Sequence, residues 1–309
     1  MTMPNAPDVS VIMTVRNGAA FIGDALDSVY AQTARPREIV VVDDGSTDET
    51  PAILSRYAQH PPAGGTDPLA VVRVPAPRLR VLRAGNVGRA AALNLAWRSA
   101  GGKFIANLDA DDVFAPRKLE LQIEALYASP ELELLATASY YFAANGSQGE
   151  GCGPDAYSRD ATGSAAPLRN LAPLLCRYNP VNHSSVVMRR SLLERLGGYA
   201  SHRTRQLDYE LWIRAAIDGA SVAMLDAPLT GKRIHAGQTF EARDHLRYVL
   251  SSFSLQLRAI YALQPGAGLR AAAARTRLYL LAALRVAYRM LPLRLRRRLA
   301  SAKESTLRR

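Results

Sequence analysis

The chain has 309 residues, 48% of them hydrophobic, which is enough for one large α/β domain with an appendage. Its two cysteines, Cys152 and Cys176, cannot staple a chain this long, so a disulfide-built secreted scaffold is excluded and a reducing cytosol is expected. The net charge of +12 is concentrated in residues 243–309, which hold 15 Lys/Arg and two acids. Residues 1–242 are therefore nearly neutral, which favours a surface-docking tail over a basic catalytic groove.

Strand and helix patterns alternate from residue 9 to residue 225. Mostly apolar runs predict strands at residues 9–15, 38–42, 79–82, 103–108, 186–188 and 221–225. Helices are predicted between these strands from helical spacing or from start and stop signals. Their ranges are 21–30, 90–99, 191–197 and 208–217. One further helix is predicted to begin at Ser46 or Thr47 and run through residue 54, and another to begin at Pro116. This alternation predicts a doubly wound, mainly parallel sheet.

Two segments interrupt the pattern. Residues 60–78 are rich in Pro and Gly and predict a surface loop, whereas residues 143–167 are long enough to form a mobile lid or substrate loop. From His245 onward the pattern is helical, with breaks at Pro265 and Pro292. We therefore predict two domains, at residues 1–242 and 243–309.

Three carboxylates follow the apolar run 104–106, at Asp109, Asp111 and Asp112. An extended backbone would point Asp109 and Asp111 the same way, and such a pair suits a hard divalent cation. The alternative is an acidic turn that starts the next helix, with Asp112 near its cap. The segment alone leaves both interpretations open.

Polar clusters follow three of the predicted strands, at residues 14–17, 43–46 and 109–112. Ligands of open parallel sheets bind beyond the carboxyl ends of the strands, so this convergence favours a functional site. The chain lacks the G-x-G-x-x-G of a Rossmann dehydrogenase after its first strand, and it contains no P-loop.

The order of these motifs resembles the family-2 glycosyltransferases of the GT-A fold. The matching text is VSVIMT at 9–14, IVVVDDGSTD at 39–48, NVG at 86–88 with Asn94, DADD at 109–112, DYELW at 208–212 and RIH at 233–235. The resemblance implies a Rossmann-like, mixed but mainly parallel sheet with flanking helices, followed by a C-terminal helical tail. It also implies transfer of a sugar from a nucleotide-diphospho-sugar, with UDP- or dTDP-sugars favoured.

The resemblance assigns the donor-side roles residue by residue. Asp44 would accept from the ring N–H of a uracil-like base with Thr14 nearby, although Asp44 also reads as a turn residue before Gly45. Asp43 would bind the donor or only orient the loop, and Gly88 belongs to the donor-binding set. Arg16 stands where the family often has an aromatic residue, and its guanidinium could stack on the base or meet a phosphate.

Four further residues take roles in the metal site and on the acceptor side. Asp109 and Asp111 would hold Mn²⁺ or Mg²⁺ against the donor diphosphate, where the cation neutralises charge on the leaving group. His235 matches a metal- or phosphate-contacting histidine, or it is structural. His183 lies in the family's acceptor-side segment.

Asp208 matches the family's catalytic base, which would take a proton from the acceptor hydroxyl as that oxygen attacks with inversion. The other interpretation is a helix N-cap, and the two are compatible because a helix N-terminus favours an ionised carboxylate. Leu207 replaces a Glu often found in the family, which puts the class of acceptor in doubt. Trp212 is predicted to be a core residue.

Two hypotheses follow for the whole chain. The first is an inverting, metal-dependent glycosyltransferase that acts on a saccharide or glycolipid acceptor, in surface polysaccharide or glycolipid synthesis. The second is a catalytically silent nucleotide-sugar-binding scaffold. A sugar nucleotidyltransferase is disfavoured because its Gly-rich, Arg-containing N-terminal loop is missing.

Location is predicted from the N-terminus and the tail. No secretory signal is recognisable in residues 1–8, and the apolar run 278–284 is too short to span a membrane. We expect a cytoplasmic protein. Its basic tail, which includes Arg294 and 296–298, either docks on an anionic membrane at the inner face or packs on the body. Nucleic acid is not expected as a partner, since no binding module accompanies the charge.

Overall fold

The computed structural model describes residues 7–62, 76–143, 168–235, 245–264 and 269–291. The strands are β1 Val9–Val15, β2 Glu38–Asp43, β3 Arg78–Arg83, β4 Phe104–Asn107, β5 Val113–Phe114, β6 Leu132–Ala143, β7 Leu168–Asn170, β8 Val187–Arg189 and β9 Ser221–Ile234. The helices are α1 Ile22–Tyr30, α2 Thr50–Gln59, α3 Arg89–Ser99, α4 Lys118–Ala128, α5 Ala172–Leu175, α6 Arg190–Leu196, α7 Leu207–Ile217, α8 His245–Leu263 and α9 Leu269–Met290, with a 3-10 turn at His183–Ser185.

All nine described strands form one sheet, in the order β3-β2-β1-β4-β8-β6-β9-β5, with β7 paired to β9. Strands β1 to β4 are parallel, whereas β8 runs antiparallel to both β4 and β6. The prediction of a mixed, mainly parallel sheet is therefore confirmed. In the parallel half, Thr14 is in register with Val42 and Ile12 with Asn107, so the carboxyl ends of β1, β2 and β4 meet at one edge.

Side chains that alternate along the central strands supply two cores, one on each face of the sheet. Ile12 and Val40 belong to the core on the face that carries α3 and α7, whereas Val11 and Val41 belong to the core beneath α1 and α4. Trp212 is fully buried in the first core, as predicted. The sheet is thus covered on both sides, and only its strand ends are left to build a site.

Two helices begin later than predicted. The α2 helix begins at Thr50, because Ser46 and Thr47 bond to residues of the 16–18 turn instead of capping a helix. The α4 helix begins at Lys118, so Pro116 lies before its first turn. At the first of these places, Ser46 and Thr47 instead join the turn after β2 to Asn17 in the turn after β1.

The sequence patterns missed β5, β6 and β7 and ended β9 at Leu225. Pro228 looked like a strand breaker, but β9 continues to Ile234. Register shifts in the β6–β9 pairing on either side of Ala138, the partner of Pro228, accommodate the irregularity. The extension matters for function because it carries Arg233 to the strand-end edge and is followed directly by His235.

The C-terminal helices pack on the body. Leu255, Ala259 and Ile260 of α8 are fully buried in the same core as Trp212, and α9 packs against α8. The division between residues 242 and 243 stays a prediction. Within the described ranges, no helix combines the length and the apolar character that a membrane crossing requires.

Several predictions concern residues outside the described ranges. They are most of the Pro- and Gly-rich loop at 63–75, the lid or substrate loop at 144–167, and the basic residues from Arg294 onward.

Candidate active site

The strand ends open into a cavity of about 1240 Å³. Its lining includes nine of the residues predicted to act, namely Thr14, Arg16, Asp44, Gly88, Asp109, Asp111, His183, Asp208 and His235. These residues are spread over 222 positions of the sequence, and the fold brings them to one place. Asp43 lies outside this lining, since its carboxylate accepts from the backbone N–H of Ser46 and holds the turn after β2.

The turn after β4 groups Asp109, Asp111 and Asp112 as a carboxylate cluster whose potential ligand oxygens all lie within 4.8 Å of one another. Like charges this close repel, so the surrounding protein must compensate them or a cation must bind. The fold thus brings Asp109 and Asp111 together through a turn, closed by the Asp112 N–H to Asp109 carbonyl hydrogen bond, and not through the extended backbone that the sequence suggested.

Asp109 is compensated by two neighbouring side chains. Arg89 donates to its Oδ1 at 2.6 Å, and His183 Nδ1 lies 2.8 Å from the same oxygen. Burial favours the protonated acid, but the charges of Arg89 and His183 and their hydrogen bonds outweigh it and hold the pKa of Asp109 well below its usual range. Asp109 is therefore an ionised carboxylate at neutral pH.

His183 is held tightly in this arrangement. It is 4% exposed, and its Nε2 lies 3.0 Å from the hydroxyl of Tyr199 while its ring stacks near Trp212. Because the ionised Asp109 can only accept, Nδ1 carries the proton and donates to it. Both ring nitrogens are thus engaged within the protein, which places His183 beside the carboxylate cluster as an orienting group for Asp109.

Asp111 faces the other histidine. His235 Nε2 lies 3.0 Å from Asp111 Oδ2, and Phe21 packs at a tilt against the imidazole with 4.6 Å between ring centroids. Asp111 and His235 come from segments more than a hundred residues apart, and the extension of β9 brings them together. The fold therefore brings His235 next to one of the two carboxylates to which the resemblance gives a metal-binding role.

Asp112 is a buried member of the cluster, whereas the sequence suggested a turn or helix-start residue. Its carboxylate accepts from Ser184 Oγ at 2.6 Å and from the backbone N–H of Arg233 at 3.2 Å. Burial, followed by the charges of Asp109 and Asp111, raises its pKa to about 7. The next helix begins six residues later, at Lys118, so Asp112 cannot cap it.

The cluster fits a hard divalent cation. Carboxylate oxygens are the donors that Mg²⁺ and Mn²⁺ prefer, and the imidazole of His235 adds a nitrogen donor that suits Mn²⁺ better than Mg²⁺. A bound cation would also relieve the repulsion that raises the pKa of Asp112.

Asp44 organises the loop at the start of α3. Its two carboxylate oxygens accept from the backbone N–H groups of Val87, at 2.6 Å, and Gly88, at 2.9 Å. Gly88 has φ 88°, a conformation that favours glycine, and it leads directly into α3 at Arg89. Arg16 donates to the side chain of Asn86 at 2.5 Å, so the loops after β1 and β3 are joined.

Asp208 is the second residue of α7, and the N-cap position is taken by Gln206 in a left-handed conformation at φ 52°. The interpretation of Asp208 as the cap is therefore wrong. Its Oδ2 accepts from Asn179 Nδ2 at 3.0 Å. The charge of Asp109, and after it that of Asp208, raises the pKa of Arg89, which lines the same cavity.

Arg89, Asn179, Ser184 and Tyr199 belong to the site but escaped the sequence analysis. Arg89 follows the matched Asn86-Val87-Gly88 text directly, so its position next to a motif was a usable signal. Asn179, Ser184 and Tyr199 lie in segments without a recognised pattern. Only the tertiary contacts identify them.

Comparison with known proteins gives the chain its place. Residues 10–148 match the model of Glycosyl transferase family 2. An uncharacterized glycosyltransferase of Rickettsia prowazekii is 29% identical over 236 residues, covering 76% of this chain and 66% of the relative. The amylovoran biosynthesis glycosyltransferase AmsE of Erwinia amylovora is 29% identical over 203 residues, covering 65% of each protein. The chain thus spans about two thirds of the length of these relatives.

Two solved structures share the fold. S. aureus TarS 1-349 in complex with UDP-GlcNAc superimposes with a TM-score of 0.59 at 19% identity, covering 88% of this chain and 70% of TarS. Mannosyltransferase PcManGT of Pyrobaculum calidifontis, in complex with GDP-Man and Mn²⁺, gives a TM-score of 0.56 at 22% identity, covering 98% of this chain and 81% of PcManGT. Together with the motifs at the strand ends, the match over residues 10–148 and the relatives named as glycosyltransferases support a glycosyltransferase of family 2.

Proposed function

We propose that the chain transfers a sugar, with inversion, from a nucleotide-diphospho-sugar to an acceptor hydroxyl. The observation that carries the proposal is that one cavity joins the carboxylate cluster to Asp208 and is also lined by Arg89, which donates to Asp109. A cluster for the leaving group and a base for the nucleophile are the two parts that an in-line displacement needs.

Asp208 acts as the general base in this proposal. The N-terminus of α7 favours its ionised form, and Asn179 fixes one carboxylate oxygen so that the other is left to take the acceptor proton. Because the base and the leaving group occupy different parts of the cavity, the acceptor oxygen attacks from the side opposite the diphosphate. That geometry inverts the configuration of the sugar.

Asp109, Asp111 and His235 would hold Mn²⁺ or Mg²⁺ beside the donor diphosphate. When bound, the cation supplies Lewis-acid neutralisation of the charge that develops on the nucleoside diphosphate. Arg89 donates to Asp109, and its positive charge can also stabilise the negative charge that develops on the nucleoside diphosphate. The UDP-GlcNAc bound to TarS, and the GDP-Man and Mn²⁺ bound to PcManGT, support a nucleotide-sugar donor and a divalent ion.

Thr14, Arg16, Asp44 and Gly88 line the donor side of the cavity in this proposal. UDP- or dTDP-sugars are the favoured donors, because Asp44 would accept from the ring N–H of a uracil-like base. The name of AmsE, an amylovoran biosynthesis glycosyltransferase, supports a saccharide or glycolipid acceptor in surface polysaccharide synthesis.

Replacement of Asp208 tests the proposal. Asp208→Asn should lower sugar transfer by about 10²- to 10⁴-fold, because the amide cannot take a proton, while donor binding measured by calorimetry with Mn²⁺ stays within a few-fold. Asp218→Asn is the matched control, since it makes the same change at the C-terminal end of α7 and should leave transfer unchanged. Equal turnover of Asp208→Asn and wild type would refute the base assignment. Donor binding without transfer in the wild type would favour the silent scaffold.

We also propose that α9 docks on an anionic membrane surface. Its outer side exposes Leu280, Leu284 and Tyr288, at 60%, 64% and 42% of their surface. These residues recur every fourth position and so share one face of the helix. Residues 243–309 carry 15 of the 39 Lys and Arg of the chain, and this charge is complementary to anionic lipid.

Flotation with vesicles tests the docking. The full chain should float with vesicles containing phosphatidylglycerol, float less as salt is raised, and stay behind with neutral phosphatidylcholine vesicles. The double variant Leu280→Ser, Leu284→Ser should lose most of the flotation. A control with Tyr127→Ser and Ile217→Ser, which are exposed on the body, should float like wild type. Equal flotation of both double variants would refute docking through α9.

A further inference from the structure

A second group of polar residues lines the same cavity, and we call the part of the cavity that they line the distal region. It is lined by Arg169 of β7, Tyr178, Tyr248 of α8 and Arg285 of α9. All four residues lie outside the segment 10–148 that matches the family model. The distal region therefore lies in a part of the chain that the family model does not match.

A short series of contacts leads from Asp208 to the distal region. Asn179 donates to Asp208, and the neighbouring Tyr178 exposes 44% of its surface. The guanidinium of Arg285 lies over the Tyr178 ring, 5.8 Å from its centroid, and Arg285 Nη1 donates to the carbonyl of Arg177. The ring of Tyr178 thus belongs to the residue next to Asn179, which orients the proposed base. The Arg285 guanidinium contacts this ring and the carbonyl of Arg177.

The distal region carries positive charge without acidic partners. Among the described residues, no carboxylate pairs with Arg285 or with Arg169, whose recorded contact is 3.1 Å from Nη2 to the thioether sulfur of Met224. A thioether is a weak acceptor, and a guanidinium has five N–H donors in a planar fork that matches a phosphate. These two guanidinium groups can therefore bind an anion, whereas the carboxylate cluster suits a cation.

We propose that the distal region is the acceptor subsite, and that it takes a sugar bearing a phosphate or diphosphate group. The sugar ring stacks on Tyr178, which brings a hydroxyl towards Asp208, and the phosphate binds Arg285 and Arg169. The inference rests on the proposed function, because it uses Asp208 as the base. It adds that the donor diphosphate and the acceptor phosphate are recognised by opposite means, the first through a cation and the second through arginine alone.

The test measures equilibrium binding of a panel of hexose and N-acetylhexosamine 1-phosphates, with the matching methyl glycosides as uncharged probes. The titrations contain EDTA, so that binding through a divalent cation is suppressed. At least one sugar phosphate should bind ten times or more tightly than its methyl glycoside. Arg285→Gln should weaken that binding about tenfold. Arg277→Gln on the exposed side of α9 makes the same charge change and should have no effect.

Several outcomes would overturn the subsite. They are equal binding of the sugar phosphates and the methyl glycosides, equal affinities of Arg285→Gln and Arg277→Gln, or loss of sugar-phosphate binding when EDTA is added. Arg169→Gln provides a second variant if circular dichroism shows that Arg285→Gln is unfolded, and it should also weaken sugar-phosphate binding. A farnesyl diphosphate-linked sugar in the same panel distinguishes the source of the acceptor, since tighter binding than the soluble sugar phosphate assigns a lipid-linked acceptor.

Failure of the subsite and failure of the proposed function give different results. Asp111→Asn should lose Mn²⁺-dependent binding of the donor and keep the binding of sugar phosphates in EDTA. If the wild type binds no nucleotide-sugar with Mn²⁺ but still binds sugar phosphates through Arg285, the proposed function fails and the distal anion site stands. If the donor binds and the two α9 variants are indistinguishable, the distal subsite fails and the proposed function stands.

Discussion

Lys118, at the start of α4, has no exposed surface and no carboxylate partner among the described residues. Its ammonium donates to Gln122 Oε1 at 2.7 Å and lies 4.0 Å from the centroid of the Phe114 ring. Burial lowers the pKa of Lys118 well below its ordinary value of 10.5. Between the lowered pKa and 10.5, the unfolded chain binds a proton that the folded chain does not bind. The free energy of unfolding must therefore rise with pH across that window.

Lys118→Met should remove this contribution. We expect the free energy of unfolding of the wild type to rise between pH 7 and 9.5 relative to that of the variant, by up to about 1.4 kcal/mol per pH unit. Urea titrations of both proteins at the two pH values measure the difference, and all other titrating groups cancel in the comparison. Parallel pH dependence in both proteins would mean that Lys118 is charged in the folded state.

At the scale of single residues, the sequence indicated which acidic residues belong to the site better than it indicated which side chains contact them. Asp109 and Asp111 were recognisable because they alternate after an apolar strand. The role of Asp112 was not, since its contacts come from Ser184 in the 3-10 turn and from Arg233 in β9, both distant in the sequence. Asp43 and Asp44 are adjacent, and only the fold shows that Asp44 lines the cavity while Asp43 holds a turn.

At the scale of elements, the buried parallel strands were predictable, whereas β5, β6 and β7 were not. The strands β1 and β2 are nearly continuous apolar runs because both of their faces are covered. The β5 strand has two residues, and β9 contains a proline beside a register shift, so local patterns gave no reliable signal. The β9 strand also leads to His235, whose role was inferred from the resemblance alone, whereas Asp111 was recognisable in the acidic cluster.

The α8 helix offers a test of whether residues 243–309 are an appendage or part of the core. Ile260→Ala should lower the free energy of unfolding by about 2–5 kcal/mol, because the side chain is fully buried against the body. Tyr261→Ala changes the next residue, which is 77% exposed, and should stay within about 0.5 kcal/mol of wild type. If chemical denaturation gives similar small losses for both variants, α8 does not share the core of the body.

At the scale of the whole molecule, the carboxylate cluster predicts that a nucleotide ligand stabilises the chain only together with a divalent cation. UDP at about 100 times its dissociation constant, with Mn²⁺, should add about 2.7 kcal/mol, which for a chain of this size is a rise in Tm of roughly 5 °C. Differential scanning fluorimetry with UDP and either Mn²⁺ or EDTA measures it. Asp111→Asn should abolish the rise, and Asp218→Asn should keep it. An equal rise in EDTA would contradict a metal-bound diphosphate.

The contacts of Gln206 bear on where the chain can be truncated. Its side-chain amide donates to the carbonyl of Tyr248 on α8 at 2.9 Å, and its left-handed backbone sets the first turn of α7, which carries Asp208. The proposed base is therefore tethered to a helix that lies a hundred residues beyond the end of the family match. A fragment trimmed after β9 would keep the carboxylate cluster but lose the support of the base. The smallest piece of this chain that we expect to turn over substrate thus extends at least through α8.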